Sequence, residues 1–453
     1  MPTQTRSKIE RLHTSKPVVA LIGRENVGKS TLFNRIIGAA SSIISNVPGT
    51  TRDRLFGDVV WRGKTFIAVD TAGLAQDKKG FVREIHEQAE IAAREADVIL
   101  FVVDGKDGVT PVDSSIARWL SKSKKKVIVL VNKVDKPEKQ GDLALPFYEF
   151  GFSEVMMGSA LSGKMIGDVL DTVLEHLDFA PAVVSPDSMK VSIVGKPNVG
   201  KSSLLNALIE EKRVRVSPIA GTTRDAVAVT TKYKEKMLTF IDTAGLRRKA
   251  KIHERIEKES SIQSLHAINE SEIVLAVFDT TVPTSQQDLA IVRYAFEARK
   301  AIIIVINKWD LESSQEAKYE KYVEYFQSKL PLLYYVPIVF VSSKSGQNIP
   351  ELMNLLEFTD DRYHQTIPQE KLDEVFATIP DQLGEIGKIK KKRLKVWNIK
   401  QIHTAPPGFQ IEINKAELLS NFHIDRIENL LRAALPLEAT PIVLHFKVKG
   451  SKV

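Results

Sequence analysis

The chain of 453 residues contains no cysteine and carries a formal net charge of +8, with a pI near 9.2. Its length predicts about three domains at ~150 residues each, and the missing cysteine excludes disulfides and thiolate metal sites, which points to a reducing, cytoplasmic setting. No apolar run approaches the ~20 residues that cross a bilayer, so no membrane role is expected; the positive excess suits a phosphate-rich partner such as nucleic acid.

Residues 1–16 are polar and mildly basic, and read as a disordered tail rather than a secretory signal. The apolar run Val18–Ile22 predicts a buried strand, and STLFNRI opens a helix. Between them stand Gly23, Arg24, Glu25, Asn26, Val27, Gly28, Lys29 and Ser30, which fit the phosphate-loop pattern G-x-x-x-x-G-K-[ST]. Backbone N–H groups of such a loop can wrap a phosphate at the positive end of the helix. Lys29 can reach the outer phosphates and the Ser30 hydroxyl can bind Mg²⁺. The following loop, PGTTRD, offers the Thr51 hydroxyl to the same ion. Asp70, Thr71, Ala72, Gly73 and Leu74 come next, at the end of the strand IAVD. Here the carboxylate suits an outer-sphere place on Mg²⁺ and the glycine N–H a γ-phosphate. A segment hung on that contact can order with a triphosphate and relax after hydrolysis.

Asn132, Lys133, Val134 and Asp135 decide the base. The Asp135 carboxylate can accept two hydrogen bonds from the N1–H and N2–H₂ groups of guanine, which adenine does not offer. Asn132 braces the loop, and the stem of Lys133 can cover the base. A site built this way rejects the wrong purine by roughly 10⁴ or more. Ser159 and Ala160 follow a strand, where backbone N–H groups can meet the guanine O6.

The segment 179–190, with its prolines, reads as a linker, and beyond it the whole series returns. Gly195, Lys196, Pro197, Asn198, Val199, Gly200, Lys201 and Ser202 repeat the phosphate loop. Thr223 repeats Thr51, and Asp242, Thr243, Ala244, Gly245 and Leu246 repeat the second motif. Asn307, Lys308, Trp309 and Asp310 repeat the base motif, and Ser342 and Ser343 complete the set. The interval is 172 residues for the first motif and 175 for the base motif. Two homologous domains are expected, 17–178 and 191–361, the second ending near Thr359. Near-continuous apolar strands alternating with helical stretches predict an α/β fold, a parallel-rich sheet covered on both faces with its ligand at the carboxyl ends of the strands.

From residue 362 to 453 the pattern reads helix, strand, strand, helix, strand, a small α+β domain. Its strands are RLKVWNIK, GFQIEIN and PIVLHFKV, and one long helix is expected over AELLSNFHIDRIENLLRAAL. Residues 363–453 hold an excess of +4, most of it in Lys388, Lys390, Lys391, Lys392, Arg393 and Lys395, a run able to neutralise RNA phosphates. The segment GEIG reads as a linker. His403 stands without a partner in view, and the nine histidines show no metal-binding spacing.

Together these motifs resemble those of translation-factor-type GTPases. Two copies with a C-terminal extension resemble the bacterial tandem GTPases of the EngA (Der) family, ribosome-assembly factors, over residues 18–450. The resemblance implies two P-loop GTPase domains and a KH-like RNA-binding domain. It implies GTP hydrolysis with Mg²⁺, catalytic roles for Lys29, Lys201, Thr51 and Thr223, and a monomer partnered with the large ribosomal subunit and its rRNA. Leu74 and Leu246 stand where many small GTPases place a water-orienting glutamine, which leucine cannot replace. Relatives with this pattern use potassium, which would assign Asn26 and Asn198 as its ligands, in a first copy where Glu25 replaces the expected proline. Arg52 and Arg224 read as local or interdomain ion-pair partners rather than arginine fingers. Two other readings stay open, a non-catalytic RNA-binding scaffold and a potassium-activated tRNA-modification GTPase. The latter predicts one GTPase domain and a C-terminal cysteine.

Overall fold

The computed structural model describes residues 16–38, 56–70, 96–123, 125–179, 188–210, 214–216, 229–241, 261–312, 315–331, 334–383 and 394–449. The chain divides into two compact units, one built on a first sheet and the other on a second and a third.

The first unit opens with β1 (Val18–Ile22) and α1 (Lys29–Gly38). It continues through β2 (Phe56–Trp61), β3 (Lys64–Asp70), β4 (Val98–Asp104), α2 (Pro111–Leu120), β5 (Lys126–Asn132), β6 (Glu154–Met157) and α3 (Ile166–Glu175). The strand order is β2-β3-β1-β4-β5-β6. Strands β1, β4 and β5 are apolar along nearly their whole length because both faces are covered, and every residue of β1 and β4 is buried. Their parallel register sets Asp104 beside Asn132, so two polar strand ends emerge together.

The sheet is parallel-rich, as expected, and β2 is its antiparallel member: it pairs with β3, with Phe56 opposite Val69. Gly57 and Asp58 weaken its strand signal, and Gly57 lies close against α1: a Cβ there would stand 2.5 Å from the Ile37 Cδ1, which would have to move aside.

Along the chain the plan repeats with β7 (Ser188–Val194), α4 (Lys201–Glu210), β8 (Val214–Val216), β9 (Val229–Tyr233), β10 (Lys236–Ile241) and α5 (Ser261–Glu270). β11 (Ile273–Asp279), α6 (Gln286–Glu297), β12 (Ala301–Asn307), α7 (Gln315–Lys329), β13 (Ile338–Phe340) and α8 (Ile349–His364) complete it. Its order is β13-β12-β11-β7-β10-β9-β8, with β8 and β9 antiparallel to their neighbours.

Two expected boundaries shift. β7 begins at Ser188, inside the expected linker, and buried Ser188 and Lys190 disguise its start. Helix α8 runs through a buried Thr359 to His364, past the expected end of the copy.

The third sheet, β14 (Val396–His403), β15 (Gly408–Ile413) and β16 (Val443–Val448), pairs β14 antiparallel and β16 parallel to β15. Ile399, Phe409 and Ile411 share its core with Leu372, Val375 and Ile379 of α9 (Gln369–Leu383) and Ile427 and Leu431 of α10 (Asn421–Ala434). The single long helix expected over residues 416–435 is broken. A short 3-10 turn, Ala416–Leu418, precedes α10, because Ser420 caps the new helix through a capping box with His423. This small domain meets segments flanking the second sheet in the same unit: the Ala405 N–H donates to the Tyr363 carbonyl of α8 at 2.9 Å, and the Arg432 guanidinium lies 3.8 Å over the ring of Tyr335, in the turn before β13. Among the described residues no helix is long and apolar enough to cross a membrane.

Candidate functional site

In both copies the phosphate loop leaves the carboxyl end of the central strand and runs directly into the following helix. Asn26 and Asn198 take left-handed backbone (φ 62° and 67°), a conformation asparagine tolerates better than most residues. Lys29 is 5% exposed, and its ammonium donates to the Gly23 and Arg24 carbonyls at 2.8 and 2.7 Å, across the mouth of the loop. Lys201 donates in the same way to the Gly195 and Lys196 carbonyls at 2.6 and 2.5 Å. Burial pushes the Lys29 ammonium below its ordinary pKa against the pull of Asp70. The Ser30 hydroxyl donates to Asp70 Oδ2 at 2.7 Å. A hydroxyl and a carboxylate thus converge at the start of α1, a hard-oxygen donor set that fits Mg²⁺.

The base motif closes over this loop through its asparagine. Asn132 Nδ2 donates to the Val27 carbonyl at 2.7 Å, and its Oδ1 accepts from the Ala160 N–H at 2.8 Å. Asn307 Nδ2 donates to the Val199 carbonyl at 2.8 Å, and its Oδ1 accepts from the N–H and hydroxyl of Ser343 at 3.1 and 2.8 Å. One buried amide therefore ties three motifs together in each copy. Asp135 accepts from the Ser159 hydroxyl at 2.8 Å and meets the Lys106 ammonium at 3.1 Å, and both hold its carboxyl below the usual range. Asp310 is exposed at the edge of a cleft of about 880 Å³, which Gly200, Asn307, Lys308, Ser342 and Lys344 also line. Val27, Val134, Val199 and Trp309 turn their side chains into the core; Trp309 packs 4.5 Å from Phe340. Those four residues can offer a ligand only backbone. Glu25 and Pro197 are exposed.

Several expected site residues lie outside the described residues: Thr51, Thr223, residues 71–74 and 242–246, Arg52, Arg224, the GEIG segment and the basic residues 388 to 393. Lys395 is described, one position before β14.

The structure also brings in residues that the motif reading missed. Asp104 and Asp279 end β4 and β11 and pair with Lys133 and with Lys308, the latter at 2.5 Å, which pins the base loop; both lysines take left-handed backbone. The lysine ammonium and backbone N–H groups keep Asp104 below the usual carboxylate range despite its burial. Arg24 and Lys196 reach Asp113 at 3.4 Å and Asp288 at 2.9 Å, the capping-box aspartates of α2 and α6, and so tie each phosphate loop to the next helix. The repeat itself could have found them, because both pairs of aspartates recur at the 175-residue interval of the base motif.

Lys196→Ala is expected to lower stability by about 1–3 kcal/mol, because it leaves a buried carboxylate short of a charged partner. Urea unfolding checks this: a loss under 0.5 kcal/mol would mean that the caps alone satisfy Asp288.

Comparison with known proteins agrees with this construction. A family model described as a 50S ribosome-binding GTPase matches residues 18–133 and again 190–308. A second, the KH-domain-like C-terminal part of EngA bacterial GTPase enzymes, matches residues 367–447. GTPase Der of Listeria monocytogenes (strain HCC23) is 41% identical over 430 residues, covering 94% of this chain and 98% of that protein. GTPase Der of Acetivibrio thermocellus is 42% identical over 447 residues, covering 96% and 99%. Among solved structures, Aquifex aeolicus Era bound to GDP and AlF4⁻ is 25% identical, covers 56% of this chain and 88% of its own, and has a TM-score of 0.30. The chain belongs to the GTPase Der (EngA) family, a GTP-hydrolysing protein with two P-loop GTPase domains and a KH-like C-terminal domain.

Proposed function

We propose that this GTPase is a nucleotide-driven switch that associates with the large ribosomal subunit and its RNA during assembly, acting as a cytoplasmic monomer. The observation that carries the reading is the joining, in one chain, of two modules matching a 50S ribosome-binding GTPase model and one KH-like section. The domains would be residues 17–178, a second opening with β7 at Ser188, and a third from about residue 362. Lys29 and Lys201 would hold the β- and γ-phosphates, and Asp135 and Asp310 the guanine edge. Ser30, Ser202, Thr51 and Thr223 would hold Mg²⁺, with Asp70 and Asp242 behind it. When bound, that ion would spread the charge of the transferring phosphoryl group. The switch loops carrying Thr51 and Thr223 would change pose as the γ-phosphate leaves, which gives the RNA-binding section two states.

Sedimentation with purified 50S subunits tests the reading. The chain should pellet with a non-hydrolysable GTP analogue and less with GDP, and reversing Lys390, Lys391 and Lys392 to glutamate should weaken pelleting most at low salt. Absence from the pellet in every nucleotide state would end it.

Asn26 and Asn198 are further proposed to hold potassium in the place left by Leu74 and Leu246. Turnover should rise at least about tenfold in potassium over sodium, a floor set well below the ~10³–10⁵ that a fully positioned charge supplies to this transition state. Asn198→Ala should remove that rise from the second module. Equal rates in the two salts would exclude the ion.

A further inference from the structure

Two histidines 42 residues apart meet on the C-terminal sheet. His403 ends β14 and His445 lies exposed in β16, with β15 between them, yet their Nε2 atoms are 3.3 Å apart and their rings stand at 79°. The crossing is possible because of Gly408, the β15 residue paired with His403: a Cβ there would lie 2.1 Å from the imidazole. His403 Nδ1 lies 2.9 Å from the Pro406 carbonyl oxygen. A carbonyl can only accept, so that nitrogen carries the proton and Nε2 turns a lone pair toward His445. A backbone carbonyl fixing one ring nitrogen so that the other can ligate is the usual support of a metal-binding histidine.

The 3.3 Å separation matches the ~3.3–3.4 Å edge between two ligand nitrogens of a tetrahedral ion with bonds of ~2.0–2.1 Å. Among the described residues, a second cluster of suitable side chains, Glu272, Asp360 and His364, already holds its own cations. Lys236 sits 2.6 Å from Asp360, and the two carboxylates push His364 up to about 10.

We propose that His403 and His445 form a binding site for a divalent transition cation, Zn²⁺ foremost, with water completing its shell. Imidazole ligands suit zinc, copper and nickel and not the oxygen-seeking Mg²⁺ of the nucleotide sites. The cation would fasten β16 to the turn after β14. In that turn the Ala405 N–H bonds to Tyr363 of α8, so the site braces the contact between the KH-like domain and the second GTPase module.

Zinc uptake by the untagged full-length chain, saturated with Mg²⁺ and measured against a chelating dye, tests this. His445→Gln should lower zinc affinity at this site at least about tenfold, with its zinc-free melting temperature and GTP turnover unchanged. Gln410 pairs directly with His445 across β15 and β16, so Gln410→His should add a third imidazole and tighten binding by a similar factor. Should His445→Gln fail to fold, the Gln410→His result decides alone. Zinc affinity unmoved by these changes, or no uptake by the unaltered chain, overturns the site.

Discussion

Asp310→Asn is expected to weaken guanine-nucleotide binding to the second module by roughly 10²–10³-fold while leaving its stability unchanged. The carboxylate would accept from both N1–H and N2–H₂ of guanine, two charge-assisted bonds of about 1.5–3 kcal/mol each. An asparagine keeps one acceptor and turns an NH₂ donor against a guanine donor, so at least one bond is lost and a repulsion gained, about 3–4 kcal/mol together. Xanthine carries a carbonyl where guanine carries N2–H₂, so xanthosine triphosphate should outcompete GTP at the altered site. Stability should hold because Asp310 is exposed, on a turn already fixed by the Lys308–Asp279 pair and by Trp309 packed on Phe340. In the first module Asp135→Asn should cost slightly more, since Ser159 and Lys106 also lose a carboxylate partner. Titration of the full chain with fluorescent GDP and XDP reads both results, since one of two site classes should switch preference. Unchanged guanine binding, or equal uptake of adenine nucleotides, would take these aspartates out of base recognition.

The nucleotide motifs are legible because each is a local run whose chemistry depends on neighbours in sequence: a glycine-rich turn between strand and helix, an aspartate at a strand end, an N-K-x-D turn. Their convergence also follows, since parallel strands of one sheet align their carboxyl ends. What escaped depends on partners far along the chain. Lys133 meeting Asp104, or Arg24 meeting Asp113, needs the strand order before either pairing can be drawn. Antiparallel β2 is hidden because Gly57 and Asp58 break its pattern; the start of β7 is hidden because Ser188 and Lys190 are polar though buried. His403 looked isolated because its partner is two strands away, reached over a residue without a side chain. The break before α10 was in principle readable, since Ser420 is a strong cap residue; the apolar periodicity on both sides hid it.

The second glycine of each phosphate loop carries the other large prediction. Gly28 and Gly200 have φ of 97° and 94°, and an added Cβ would stand 2.4 Å from Asn132 Nδ2 and 2.2 Å from Asn307 Nδ2. That same amide holds the phosphate loop to the base loop in each copy, so the glycine exists to let it through. Gly200→Ala should therefore do two things together. It strains a backbone that side chains rarely adopt, at about 1–3 kcal/mol, and it pushes Asn307 off the Val199 carbonyl, leaving a buried acceptor unpaired at about 1–3 kcal/mol more. Nucleotide binding by the second module should vanish, and its unfolding midpoint in urea should fall accordingly. Asn307→Ala should cost about 2–4 kcal/mol by orphaning the Val199 carbonyl and the Ser343 N–H. Because the alanine at 307 removes the atom that the alanine at 200 would strike, the double variant should be less damaged than the two losses added, by at least about 1 kcal/mol. Strict additivity would show that Gly200 serves only its own backbone and that the amide contact is incidental to it. The same cycle on Gly28 and Asn132 should give the same sign, since the first copy repeats the geometry atom for atom at this point.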